Sequence, residues 1–178
     1  MDTIFLVGFM GVGKTTIGEK LAHILKVPFF DLDLEIEKSQ KKSIPTIFKE
    51  DGENTFRQYE TEELRKIPTK NAVVSTGGGI VSKDENIHYL LKNGVVVFLD
   101  APIEVIYSRV SNDSNRPNAH QKTKNELELL FKKRLPYYEK AHFTIHTSGK
   151  MPDEIIMEII DCLSHVKGGD SSNKKIES

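Results

Sequence analysis

A single cysteine, Cys162, stands among the 178 residues of this chain. That excludes an internal disulfide and suits a reducing compartment. Cys162 lies in an apolar helical pattern, which favours a buried structural thiol over a reactive one. No apolar run approaches the ~20 residues of a membrane span. No basic segment precedes the short apolar run at the N-terminus, so a signal peptide is not expected. The net charge is only −1. No global field then draws the chain to nucleic acid or to a membrane surface, and any anion site has to be built locally. There is no internal repeat. What these absences leave is a cytoplasmic globular protein, its length suiting one domain of the usual ~100–200 residues.

Five short apolar runs alternate with helical patterns. "TIFLVGF", "VPFFDLD", "NAVVSTGGG", "GVVVFLDAP" and "HFTIH" read as strands. Helical spacing follows from Lys14 to about Lys26, over much of 34–67 with breaks at Ser43–Pro45 and Asp51–Gly52, and from about Lys83 to Lys92. Further helices are expected over Ile103–Val110, over Lys124–Lys140 with a kink at Pro136, and over Pro152–Val166. The pattern predicts an α/β fold: a parallel sheet with helices on both faces. Residues 111–123, "SNDSNRPNAHQKT", are polar and turn-rich and read as an exposed loop or lid. Residues 167–178 read as a disordered tail, leaving 1–166 as one domain.

Ligands of such sheets gather at the carboxyl ends of the strands, and "GFMGVGKT" stands at one of them. It matches G-x-x-x-x-G-K-[ST] between a strand and a helix. The glycines let backbone N–H groups turn toward phosphate oxygens, and the helix start adds a favourable field. Gly11, Val12, Gly13, Lys14, Thr15 and Thr16 are the candidate ATP-binding residues. Lys14 would reach the β- and γ-phosphates and the Thr15 hydroxyl would bind Mg²⁺. Thr16 could equally cap or pack. No N-K-x-D-like guanine reader is present, which weakens a GTPase reading.

The phosphoryl acceptor has to come from the rest of the chain. Asp31 and Asp33 alternate around Leu32, so an extended segment would point both carboxylates to one side; the alternative is that they cap a helix start. Arg57 and Glu60 are three apart on a helix and could be a surface ion pair. Gly77, Gly78 and Gly79 place bare backbone at a strand end, for a ligand or simply for a tight turn. Arg116 and Arg134 could hold carboxylates or phosphates in bidentate geometry, or could be solvated.

Taken in order, "GFMGVGKTT", "FFDLD", "FRQYE", "STGGG", "NRP" and "RLPYYEKA" resemble the shikimate kinases over roughly residues 3–165. The resemblance implies a P-loop kinase fold: a five-stranded parallel sheet, a helical acceptor-binding part (here about 32–61) and a mobile lid (about 111–123). It implies transfer of the γ-phosphoryl of ATP to the 3-hydroxyl of shikimate, on the route to chorismate and the aromatic amino acids. By motif, Lys14, Asp33 and Arg116 would be catalytic. Asp31 would reach Mg²⁺ through water, beside Thr15. Asp33, Arg57, Glu60, Gly77, Gly78, Gly79 and Arg134 would bind shikimate, with Glu60 fixing Arg57. Arg109 and Lys150 would flank adenine. The lid reads "RPNA" where many members have "RPLL", and Lys150–Met151 replaces the usual arginine or asparagine. A monomer is expected. A gluconate kinase shares the loop and fold, and a P-loop protein without turnover is a further alternative.

Overall fold

The structure, a computed structural model, describes residues 1–111 and 123–168. Strand β1, Thr3–Val7, is buried at all five positions. A strand with no solvent-facing side must be covered on both faces, as parallel sheets are. β2 (Phe29–Asp31), β3 (Val73–Ser75), β4 (Gly94–Asp100) and β5 (Phe143–His146) complete a sheet of order β2-β3-β1-β4-β5, with every pairing parallel. In register, Ile4 lies opposite Val73 on one side and Val95 on the other.

Helix α1 (Lys14–Leu25) packs with α8 (Pro152–Gly168). The second helical layer contains α5 (Asp84–Asn93), α6 (Ile103–Ser111) and α7 (Lys124–Tyr138), joined through a short 3₁₀ turn, Ile80–Ser82. Between β2 and β3, α2 (Leu32–Gln40), α3 (Ile44–Glu50) and α4 (Gly52–Lys66) pack on one another. The breaks expected at Ser43–Pro45 and Asp51–Gly52 are both present. Ser43 caps α3 by accepting from the Thr46 amide at 3.3 Å, with Pro45 in the first turn.

Several boundaries differ from expectation: β3 covers only Val73–Ser75, and α8 runs to Gly168, into the expected tail. Strand β2 stops at Asp31, because the Asp31 carboxylate accepts from the Asp33 and Leu34 amides and starts α2 there. Helix α7 runs through Pro136 and ends at Tyr138. Cys162 is half-buried, and burial raises its thiol pKa, aided by Asp161 and Glu158. The thiol is thus less buried than expected, while its raised pKa agrees with a packing role. Among the described residues no helix is long and apolar enough to cross a membrane. The expected lid, apart from Ser111 and Thr123, and the expected tail beyond Gly168 lie outside the described residues.

Candidate active site

The loop from Gly8 to Gly13 leaves β1 and enters α1. Gly11 (φ +76°) and Gly13 (φ +104°) adopt backbone that side chains disfavour. Nothing lies within 4 Å of where a Cβ on Gly13 would stand, so the helix start faces open space. Val12 itself is buried. The Lys14 ammonium is drawn into the loop, donating to the carbonyls of Gly8 (2.8 Å) and Phe9 (3.0 Å). Arg109 Nη1 reaches the carbonyls of Gly11 (3.3 Å) and Val12 (3.4 Å) from α6. A cavity of about 220 Å³ opens here. Gly11, Gly13, Lys14, Thr15 and Thr16 line it together with Asp31, Asp33, Ser75, Thr76, Gly78, Arg109 and Val110.

The extended "DLD" geometry is not what the structure has. Asp31 ends a strand and Asp33 sits in the first turn of a helix. Both residues still line the cavity, by different routes. Asp31 divides its oxygens: Oδ1 caps α2, and Oδ2 accepts from the Thr15 hydroxyl at 2.8 Å. The helix-capping alternative is thus correct for Asp31, and it leaves one oxygen turned to Thr15.

Arg57 and Glu60 form a pair at 2.5 Å on α4. It is not a surface pair, since Glu60 is fully buried and the Arg57 side chain is 15% exposed. Arg57 Nη2 also reaches Glu53 at 3.1 Å. Burial works against the Arg57 charge, but Glu60 and Glu53 more than offset it and hold its pKa high. For Glu60 burial wins. Its pKa is pushed up to about 7 although Arg57 pulls the other way, and Asp33 adds to the rise. One oxygen, Oε1, has no hydrogen-bond partner among the described residues.

The three glycines explain how such a cluster fits. None of them has a positive φ, so a strained turn is not their reason. A Cβ on Gly77 would lie 2.7 Å from Glu60 Oε1 and 2.8 Å from Asp33 Oδ1. A Cβ on Gly79 would fall within the Arg57 guanidinium, and one on Gly78 would stand 3.2 Å from the Met10 amide. Bare backbone lets β3, α4 and the phosphate loop close on one another. Arg134 completes the group from α7. It is 8% exposed, with its guanidinium 5.8 Å from the Phe9 ring centroid. Burial lowers its pKa, with Tyr138 opposing, and its Nε has no partner among the described residues.

Two expected residues stand apart. Lys150 pairs with Glu158 of α8 at 2.7 Å and does not line the cavity. Arg116 lies outside the described residues. Four residues went unassigned in the sequence: Ser75, Thr76 and Val110 of the cavity wall, and Tyr138. Ser75 and Thr76 line the cavity, and their signal was their place at the end of β3. Tyr138 is fully buried and donates to the Gly78 carbonyl; its signal was the i,i+4 spacing from Arg134 on a helix.

The oxygen chemistry fits Mg²⁺. A hydroxyl and a carboxylate meet beside the phosphate loop, and no group of three or more His, Cys, Asp or Glu among the described residues could hold a metal alone. Mg²⁺ commonly takes only one or two protein oxygens, filling the rest of its shell from phosphates and water.

The shikimate kinase family model matches residues 10–164. A shikimate kinase of Bacillus cereus is 42% identical over 159 residues, covering 89% of this chain and 96% of its relative. Among solved structures, shikimate kinase from Acinetobacter baumannii in complex with shikimate superposes with a TM-score of 0.87 at 36% identity, covering 94% of this chain and 95% of the other. A gluconokinase from Sinorhizobium meliloti reaches a TM-score of 0.66 over 98% of each chain at 16% identity, a likeness of fold alone.

Proposed function

The chain belongs to the shikimate kinase family, and on that premise we propose that it transfers the γ-phosphoryl of ATP to the 3-hydroxyl of shikimate, on the route to the aromatic amino acids. The observation that carries this reading is the position of Asp33. It borders the phosphate cavity with Lys14 and Thr15, and its Oδ1 shares with Glu60 the space left by Gly77. Asp33 therefore joins a phosphate site to a site rich in guanidinium groups. Shikimate has a carboxylate at one end and hydroxyls at the other, which matches that polarity.

In this reading Arg57 and Arg134 hold the acceptor carboxylate, a charge-assisted contact being worth ~1.5–3 kcal/mol. Glu60 orients Arg57, and Gly77–Gly79 let the acceptor approach the backbone. Asp33 orients the 3-hydroxyl and takes its proton. The loop amides of Gly11–Thr16 and the Lys14 ammonium bind the phosphates, with Lys14 leaving its two carbonyl partners to do so. Arg109 packs against the nucleotide, Lys150 stands at the far side of adenine, and Arg116 is a further phosphate contact by its motif. Thr15 and, through water, Asp31 hold Mg²⁺, which when bound screens the phosphate charge. The protein supplies position and charge and leaves the covalent chemistry to the reactants. The same reading makes 1–166 one cytoplasmic, monomeric unit with its acceptor-binding part at about 32–61.

An ADP-release assay with ATP, Mg²⁺ and either shikimate or gluconate tests this. Turnover is expected with shikimate and far less with gluconate. Equal turnover of the two would overturn the assignment.

A further inference from the structure

Tyr138 touches neither the cavity nor solvent, yet its hydroxyl sits between two parts of the acceptor site. The ring is fully buried and stacks on Phe98, centroids 5.0 Å apart at 16°. The hydroxyl donates to the Gly78 carbonyl, and the nearby Arg134 guanidinium acts on it electrostatically, against the effect of burial.

The backbone of the glycine run gives that contact its meaning. The Gly77 carbonyl accepts from the Ile80 amide at 3.2 Å, and the Gly79 carbonyl accepts from the Ser82 amide at 3.0 Å. The Gly78 carbonyl instead uses Tyr138. The three glycine amides donate to no backbone carbonyl of the described residues. A peptide unit between two glycines has little steric resistance to rotation. It is planar and trans, so turning the Gly78 carbonyl one way turns the Gly79 N–H the other. A hydrogen bond from Tyr138 therefore fixes where the Gly79 N–H points. That amide belongs to the residue against which the Arg57 guanidinium packs.

We propose that the Tyr138 hydroxyl is a positioning group for the acceptor: it locks the Gly78–Gly79 peptide in one orientation at the residue against which Arg57 packs. One buried oxygen thereby sets the backbone geometry of two glycines that meet the substrate. Burial raises the phenol's pKa, so the group remains a protonated donor throughout the working pH range. This inference rests on the shikimate reading above.

The test is Tyr138→Phe, which keeps the ring and its stacking and removes only the oxygen. The shikimate KM should rise about tenfold or more, the size of effect a lost orienting hydrogen bond of ~1.4 kcal/mol would give. The ATP KM should stay within about twofold, a margin set by the separation of the two subsites. Phe98→Leu serves as a packing control, since it loosens the ring but leaves the hydroxyl. It should lower Tm without a selective rise in the shikimate KM. The proposal is overturned if Tyr138→Phe leaves the shikimate KM unchanged. A parallel rise of both KM values with a fall in Tm would overturn it too, as would an equal selective defect in Phe98→Leu. A wild-type protein with no activity on shikimate would remove the underlying assignment instead, and the wild-type control separates the two failures.

Discussion

Glu60 is a carboxyl buried from solvent, and this has a signed consequence for stability. Its folded pKa is about 7, against 4.5 for the free side chain. Between those values the unfolded chain has released the proton and the folded chain still holds it. Stability from this group is complete below about pH 4.5, falls as pH rises through the window, and is gone above about pH 7. Urea unfolding from pH 5 to 8 should register a loss on the order of 1–3 kcal/mol in the wild type. Glu60→Gln should flatten that slope; parallel profiles would place the proton elsewhere. Its partner gives a second prediction. Arg57→Ala should raise the shikimate KM about 10–100-fold, from the ~1.5–3 kcal/mol of a charged contact, while ATP affinity measured by calorimetry barely changes. A matching loss of ATP affinity would remove Arg57 from the acceptor site. The pairing of Arg57 with Glu60 was legible in their spacing of three. Their burial was not, because it depends on Gly77 and Gly79 arriving from a distant strand end, and helical periodicity carries no trace of that approach.

The helices and strands themselves were legible nearly throughout, since each rests on local periodicity and local caps. The exception is instructive. "DLD" alternates as a strand would, yet Asp31 can also satisfy two amides of a starting helix, and that local bond wins over a further pair of strand residues. Helix α7 has the clearest local signal. Thr123 Oγ1 accepts from the Glu126 amide at 3.3 Å, and Glu126 accepts from the Thr123 amide at 2.6 Å. Such a capping box is worth ~1 kcal/mol. Thr123→Ala should lower Tm by roughly 2–4 °C in a chain of this size. It should leave both KM values near wild type, because Arg134 and Tyr138 lie at the other end of the helix. A large shikimate defect in Thr123→Ala would mean that helix position, and not only helix stability, depends on the cap.

At the scale of the whole molecule, the five-strand parallel architecture was legible from the alternation of elements, but the order β2-β3-β1-β4-β5 was not, because pairing between distant segments leaves no local mark. That order has a consequence during synthesis. Strand β1, the middle one of the finished sheet, leaves the ribosome before both strands that flank it. Its partners are Val73–Ser75 and Gly94–Asp100, so it must wait for them. Until then Ile4, Phe5, Leu6 and Val7, all buried in the finished protein, have no sheet to enter. Long closures of this kind are slow to form and leave apolar segments open to other chains. The nascent chain is therefore most in need of a chaperone in its first half. Nucleotide cannot help it at that stage, because the phosphate loop has no sheet to stand on until β3 and β4 have emerged.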